Sequence, residues 1–107
     1  MRLETTLGEV LQKAGELPWD HHLYVPRTEQ LMISSPVIVL NDDEEVERSI
    51  NNEPLYTEST NVKYLLYLSA VQDVVENLQK QVNNPSIEQL FEALKYYVEK
   101  DAFIKIT

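Results

Sequence analysis

Residues 62–98 read VKYLLYLSAVQDVVENLQKQVNNPSIEQLFEALKYYV, and the hydrophobic period changes part-way along, which decides the fold. Val62 to Leu68 mixes aromatic and branched residues over strand length and suits a central strand. From there Val71, Val74, Val75, Leu78 and Val82 recur at helical spacing, and Ser69 with Gln72 three residues later forms a capping pair. The spacing predicts a helix starting at Ala70. Asn83-Asn84-Pro85 stops it, and Ser86 with Gln89 is a second capping box, leading to Ile87, Leu90, Phe91, Leu94, Tyr97 and Val98. Two helices joined so tightly predict a helical hairpin. Lys95 and Lys100 complement the dipole at the end of the second helix of that hairpin.

Toward the N-terminus, Leu7, Val10, Leu11 and Ala14 share one helical face, and Thr6 with Glu9 has capping-box spacing. A short opening helix follows, with Gly15 expected to end it in the left-handed conformation and Pro18 discouraging its continuation. His22 to Val25 reads as a strand closed by Pro26. Pro36-Val37-Ile38-Val39-Leu40 reads as a buried strand with proline at its tolerated first position. From Asn41 to Thr60 no apolar period survives, and a connection this long inside a small domain is a candidate binding surface. The expected fold is a single α+β domain over residues 1–107, with a small, mainly antiparallel sheet packed against an N-terminal helix and a C-terminal helical hairpin.

Composition narrows the function. The chain has 107 residues, 43% of them hydrophobic and 25% charged, which suits an ordinary folded domain. It contains no cysteine, which excludes disulfides, thiolate metal sites and cysteine nucleophiles. The first residues lack the basic and apolar regions of a secretory signal, and no apolar run reaches the ~20 residues that span a bilayer. A cytoplasmic protein is expected. With 18 Asp and Glu against 9 Lys and Arg, the net charge of −9 repels nucleic-acid phosphates and anionic lipid. A neutral or basic protein partner is expected instead.

The negative charge is concentrated. Asp42, Asp43, Glu44, Glu45 and Glu47 place five carboxylates within six residues. They do not form an EF-hand loop, because Val46 and Glu47 fall where that loop needs a ligand and a glycine. The bland reading is a solvated, solubilising loop, and the sharper one is a docking surface for a basic cleft. Trp19 and Tyr56 lie in or beside loops and are candidate interface anchors, though either can equally plug the core. Tyr64, Tyr67, Phe91, Tyr96 and Tyr97 fall within predicted elements and read mostly as core. Of the neighbours Tyr96 and Tyr97, only one can point fully inward.

Asp20, His21 and His22 form the one cluster of candidate metal ligands, but adjacent residues point in different directions, so a solvated loop pair is expected. No catalytic residue, metal ligand or cofactor site is assigned. No phosphate-cradling glycine loop or nucleophile-elbow motif occurs.

Tyr67-Leu68-Ser69-Ala70-Val71-Gln72-Asp73-Val74-Val75-Glu76-Asn77, then Ser86-Ile87-Glu88-Gln89-Leu90, then the run from Tyr96 to Ile104 carry a family resemblance. They resemble a family of small acidic bacterial proteins of uncharacterised function, and Leu7-Gly8-Glu9-Val10-Leu11 and Leu23-Tyr24-Val25-Pro26 fit the same family more loosely. In size, charge and architecture, though in no specific motif, the chain is also similar to immunity proteins of contact-dependent growth inhibition systems. That similarity implies a non-catalytic protein that neutralises a cognate basic toxin, expected to be a nuclease, by occluding its active-site cleft. The alternative is a general interaction or adaptor domain outside toxin biology, binding through the hairpin. A small hydrolase using His21 or His22 is a third reading, and it lacks a positioned nucleophile in the sequence.

Overall fold

A computed structural model describes residues 2–27, 30–44, 56–57 and 60–106. Strand β1 (Arg2–Thr6) leads directly into helix α1 (Leu7–Gln12), and a 3-10 turn (Ala14–Glu16) follows. Strands β2 (His22–Pro26), β3 (Pro36–Leu40) and β4 (Val62–Tyr67) complete a four-stranded sheet in the order β1-β3-β2-β4, with every pairing antiparallel. Helices α2 (Leu68–Gln81) and α3 (Ile87–Lys100) form the C-terminal hairpin. This is the expected α+β architecture.

Strand alternation divides the apolar residues between two faces. Leu23, Val25, Val37 and Val39 point to one face, where Leu7, Leu11, Val71, Leu78 and Leu94 from the three helices pack on them. Tyr24, Ile38, Leu40 and Val62 form a second, smaller cluster with Tyr56 against it. β3 therefore contributes to both clusters, which is why its sequence is apolar without alternation. Full burial of each leucine in the larger cluster contributes about 2–3 kcal/mol.

Helix ends follow their capping chemistry in part. Ser86 accepts from the Gln89 amide while the Gln89 side chain accepts from the Ser86 amide, so the predicted capping box is complete. Thr6 accepts from the Glu9 amide at 3.3 Å, but the Glu9 carboxylate pairs with Lys13 at 3.2 Å, so only half of the first box is made. Lys100 lies in the last turn of α3, as the dipole favours. The helix closes on Asp101 in the left-handed conformation, with its amide donating to the Tyr97 carbonyl.

Several local expectations are corrected. Among the described residues the strand Val62–Tyr67 is an edge strand, paired with β2 alone, because β1 adds to β3 on the other side. β1 was not legible: Leu3 is the one strongly apolar residue among Arg2, Glu4, Thr5 and Thr6, so alternation is weak there. α2 begins at Leu68 and not Ala70, and Ser69 does not cap it. The strand turns straight into the helix, and the Leu68 amide is satisfied by the His21 carbonyl at 2.9 Å. Gly15 has no positive φ, because the chain leaves α1 through the 3-10 turn and needs no left-handed residue. Gly8 is the glycine whose size matters, since its amide bonds the Ile33 carbonyl at 2.9 Å and an added Cβ would meet Ile33 Cγ2 at 3.0 Å.

Candidate functional site

Strand register determines which loops meet. His22 pairs with Leu40 and with Tyr67, and Leu40 pairs with Arg2. The segment entering β2, with Trp19 and Asp20, thus emerges at the same end of the sheet as Asn41–Glu44 leaving β3. The start of α2 lies there too, held by the bond from Leu68 to His21.

Asn41 builds the acidic turn. Its buried side-chain oxygen accepts from the Asp43 amide at 3.0 Å, and its nitrogen donates to the Glu44 carboxylate at 3.1 Å. The Glu44 amide donates back to the Asn41 carbonyl at 3.1 Å. An Asx turn of this kind starts the 3-10 turn Asp42–Glu44 and leaves Asp43 and Glu44 facing solvent. Of the predicted acidic residues, Glu45, Glu47 and the Asp42 side chain lie outside the described residues. Asn immediately before an acidic stretch is a capping signal, so the role of Asn41 could have been read from the sequence.

The two aromatic candidates have different settings. Trp19 is 69% exposed, an extreme value for the largest side chain in the molecule. Tyr56 is half-buried on the second cluster, its hydroxyl donating to Glu4 at 3.0 Å and its ring lying 4.1 Å from the Arg2 guanidinium. Tyr56 thus ties the returning end of the long loop to β1, while Trp19 faces outward.

The histidines are not a solvated pair. His21 and His22 are each 6% exposed, so both are buried. His21 Nδ1 lies 2.9 Å from the Asp20 carboxylate, and its Nε2 is buried without a hydrogen-bond partner among the described residues. A carboxylate-held imidazole is two members of a hydrolytic triad, but among the described residues no hydroxyl reaches Nε2 to serve as nucleophile. Among them, too, no group of three or more His, Asp or Glu is arranged to hold a metal ion.

His22 belongs to a ring cluster on the second face, with centroids 4.7 Å from Tyr67 and 6.0 Å from Tyr64, which in turn is 6.0 Å from Tyr24. Tyr64 and Tyr67 are 47% and 54% exposed, contrary to the core placement expected for them. Partial desolvation of Tyr64, and secondarily the neighbouring Tyr67, raise its pKa above the ordinary 10.0. The cluster follows from His22, Tyr24, Tyr64 and Tyr67 lying on one face of two paired strands, a pattern readable only once β2 and β4 are known to be neighbours. Tyr97 and Tyr96 divide as expected: Tyr97 packs on the core and on Phe103, and Tyr96 stays at the surface.

Beside Trp19 runs a groove of about 480 Å³ between the α1–β2 connection and α2. Gln72 fixes its two walls, donating to the carbonyls of Ala14 at 2.8 Å and Leu17 at 2.9 Å. That bridge is the use the fold makes of a residue expected to serve a cap. Among the described residues, no helix is long and apolar enough to cross a membrane.

No curated protein and no solved structure matches the chain. The resemblance to an uncharacterised family is borne out over nearly the whole sequence, while nothing in the comparisons links that family to immunity proteins. Residues 4–106 match the family described as a domain of unknown function, DUF7716, and the chain belongs to that family.

Proposed function

We propose that this protein is a non-catalytic, cytoplasmic immunity protein that binds a cognate basic toxin, a nuclease, and occludes the cleft in which that enzyme holds phosphates. The observation that carries the reading is that an exposed tryptophan and an exposed acidic turn lie on segments at the same end of the sheet. Tryptophan is the side chain most often found at the energetic centre of a protein interface, and carboxylates make charge-assisted bonds to the Lys and Arg that grip phosphate. The Asn41 turn supports it further, since a turn held by three hydrogen bonds presents its carboxylates with little left to order on binding. A net charge of −9 would accelerate encounter with a cationic partner and make the association rate fall with salt.

A second reading, a general interaction domain outside toxin biology, is favoured by the exposed Tyr96 and Val98 on α3, which flank the core-packed Tyr97. The deciding experiment is to express the product of the reading frame preceding this gene, with and without this chain. Growth arrest relieved by the chain, with stoichiometric inhibition of nuclease activity by the purified protein, is the expected result. A harmless product, or toxicity the chain does not touch, contradicts the immunity reading and leaves the interaction domain.

A further inference from the structure

We infer that the groove beside Trp19 receives an arginine side chain projected by the partner, an inference that rests on the reading that this partner is basic. Leu11, Leu17 and Val75 supply apolar wall, and Asp73, Glu76 and Trp19 are among the other lining residues. Among the described residues, no Lys, Arg or His lines it. Asp73 and Glu76 are both exposed, and among the described residues neither enters an ion pair. A position carrying two carboxylates, no compensating cation and a bare indole complements an occupant with an apolar stem and a cationic head.

The geometry distinguishes arginine from lysine. Asp73 and Glu76 are three residues apart on α2, so they stand on one face with Cβ atoms about 5–6 Å apart. Two carboxylates at that spacing match the several donor edges of a planar guanidinium, while an ammonium is a strongly hydrated point charge. Tryptophan is the best aromatic partner for a cation, and guanidinium also stacks on its ring. The volume of about 480 Å³ accommodates one long side chain with its flanking backbone. A second copy of this chain is a poor occupant, because two molecules each carrying −9 repel one another. The Gln72 bridge holds the walls in place before anything binds.

Trp19 is the only tryptophan, so its emission reports on the groove directly. The probes are N-acetyl-Leu-Arg-Leu-amide and its Lys and Gln counterparts, titrated into the whole protein. The arginine peptide should give a saturable change in emission, the lysine peptide should bind about threefold or more weakly, and the glutamine peptide should give none. The double substitution Asp73→Asn with Glu76→Gln should weaken the arginine peptide about tenfold with an unchanged circular dichroism spectrum. Gly15→Arg should weaken it as well by placing a cation in the groove, since a Cβ built on Gly15 meets no atom within 4 Å. An arginine peptide that leaves emission unchanged, binds no better than the glutamine peptide, or is indifferent to the double substitution overturns the inference. If a basic partner loses affinity when the carboxylates of residues 42–47 become amides but binds the Asp73/Glu76 variant undiminished, the groove inference alone falls. If the peptides behave as expected and no basic partner protein binds, the immunity reading falls and the arginine groove remains.

Discussion

The helix-covered face of the sheet and the acidic end of the same sheet are built from opposite materials. The covered face is held by aliphatic side chains such as Leu7, Leu11, Leu78 and Leu94, each exposed by no more than 1%. The acidic end is held by polar bonds, from Asn41 into its turn, from Leu68 to His21 and from Gln72 across the groove, and it leaves its charges and its one tryptophan in water. Non-directional burial suits stability, and directional bonding suits a surface whose shape must be fixed without being covered. Stability and binding should therefore respond separately to substitutions in the two regions.

The largest effect belongs to the covered face. Leu94→Ala should cost about 3 kcal/mol of unfolding free energy in urea denaturation, with no loss of partner affinity per folded molecule. Gln72→Ala touches both regions, because it unties two carbonyls from α2. It should cost about 1–3 kcal/mol and also weaken binding at the groove, and an effect confined to stability would blur the division drawn here. Asn41→Ala should cost about 1 kcal/mol in stability and slow association by loosening the acidic turn, measured by denaturation and stopped-flow in parallel.

The smallest effect tests the second face. Tyr64 has a folded pKa above its unfolded value, so the folded state holds its proton more tightly and the associated stability is fully present below pH 10.0. That stability should be lost as pH rises from about 10 through the folded value, and Tyr64→Phe should remove this part of the alkaline decline, with no difference near neutrality. Identical alkaline profiles for the two proteins would contradict the pKa assignment.

Much of the covered face was legible because it is periodic. The apolar spacing of α2 and α3, the Ser86–Gln89 box and the unbroken run of β3 each state their structure locally. β1 was not legible, since a strand with one apolar side chain is specified by its partner β3 and not by its own pattern. Ser69 misled because the strand runs straight into the helix, the His21 carbonyl taking the Leu68 amide, so that Ser69 falls inside the first turn and not ahead of it. At the acidic end, the exposed carboxylates of Asp43 and Glu44 could be anticipated from their place in a charged run, whereas the exposure of Trp19 could not, since a loop tryptophan can equally plug the core. The groove could not, because Asp73 and Glu76 come to line one groove with Trp19 only through the packing of α2 on the α1–β2 connection. The burial of His21 and His22 was missed for the same reason, as it depends on strands and helices distant in sequence.

The most direct test of the central claim is the association rate of this protein with the basic partner proposed for it across ionic strength, for the native chain and for the variant with Asp42, Asp43, Glu44, Glu45 and Glu47 replaced by their amides. The account predicts that the native rate falls at least about tenfold between low and high salt, and that the variant starts near the high-salt value and stays there. Equal rates for the two proteins, or a native rate indifferent to salt, would contradict it.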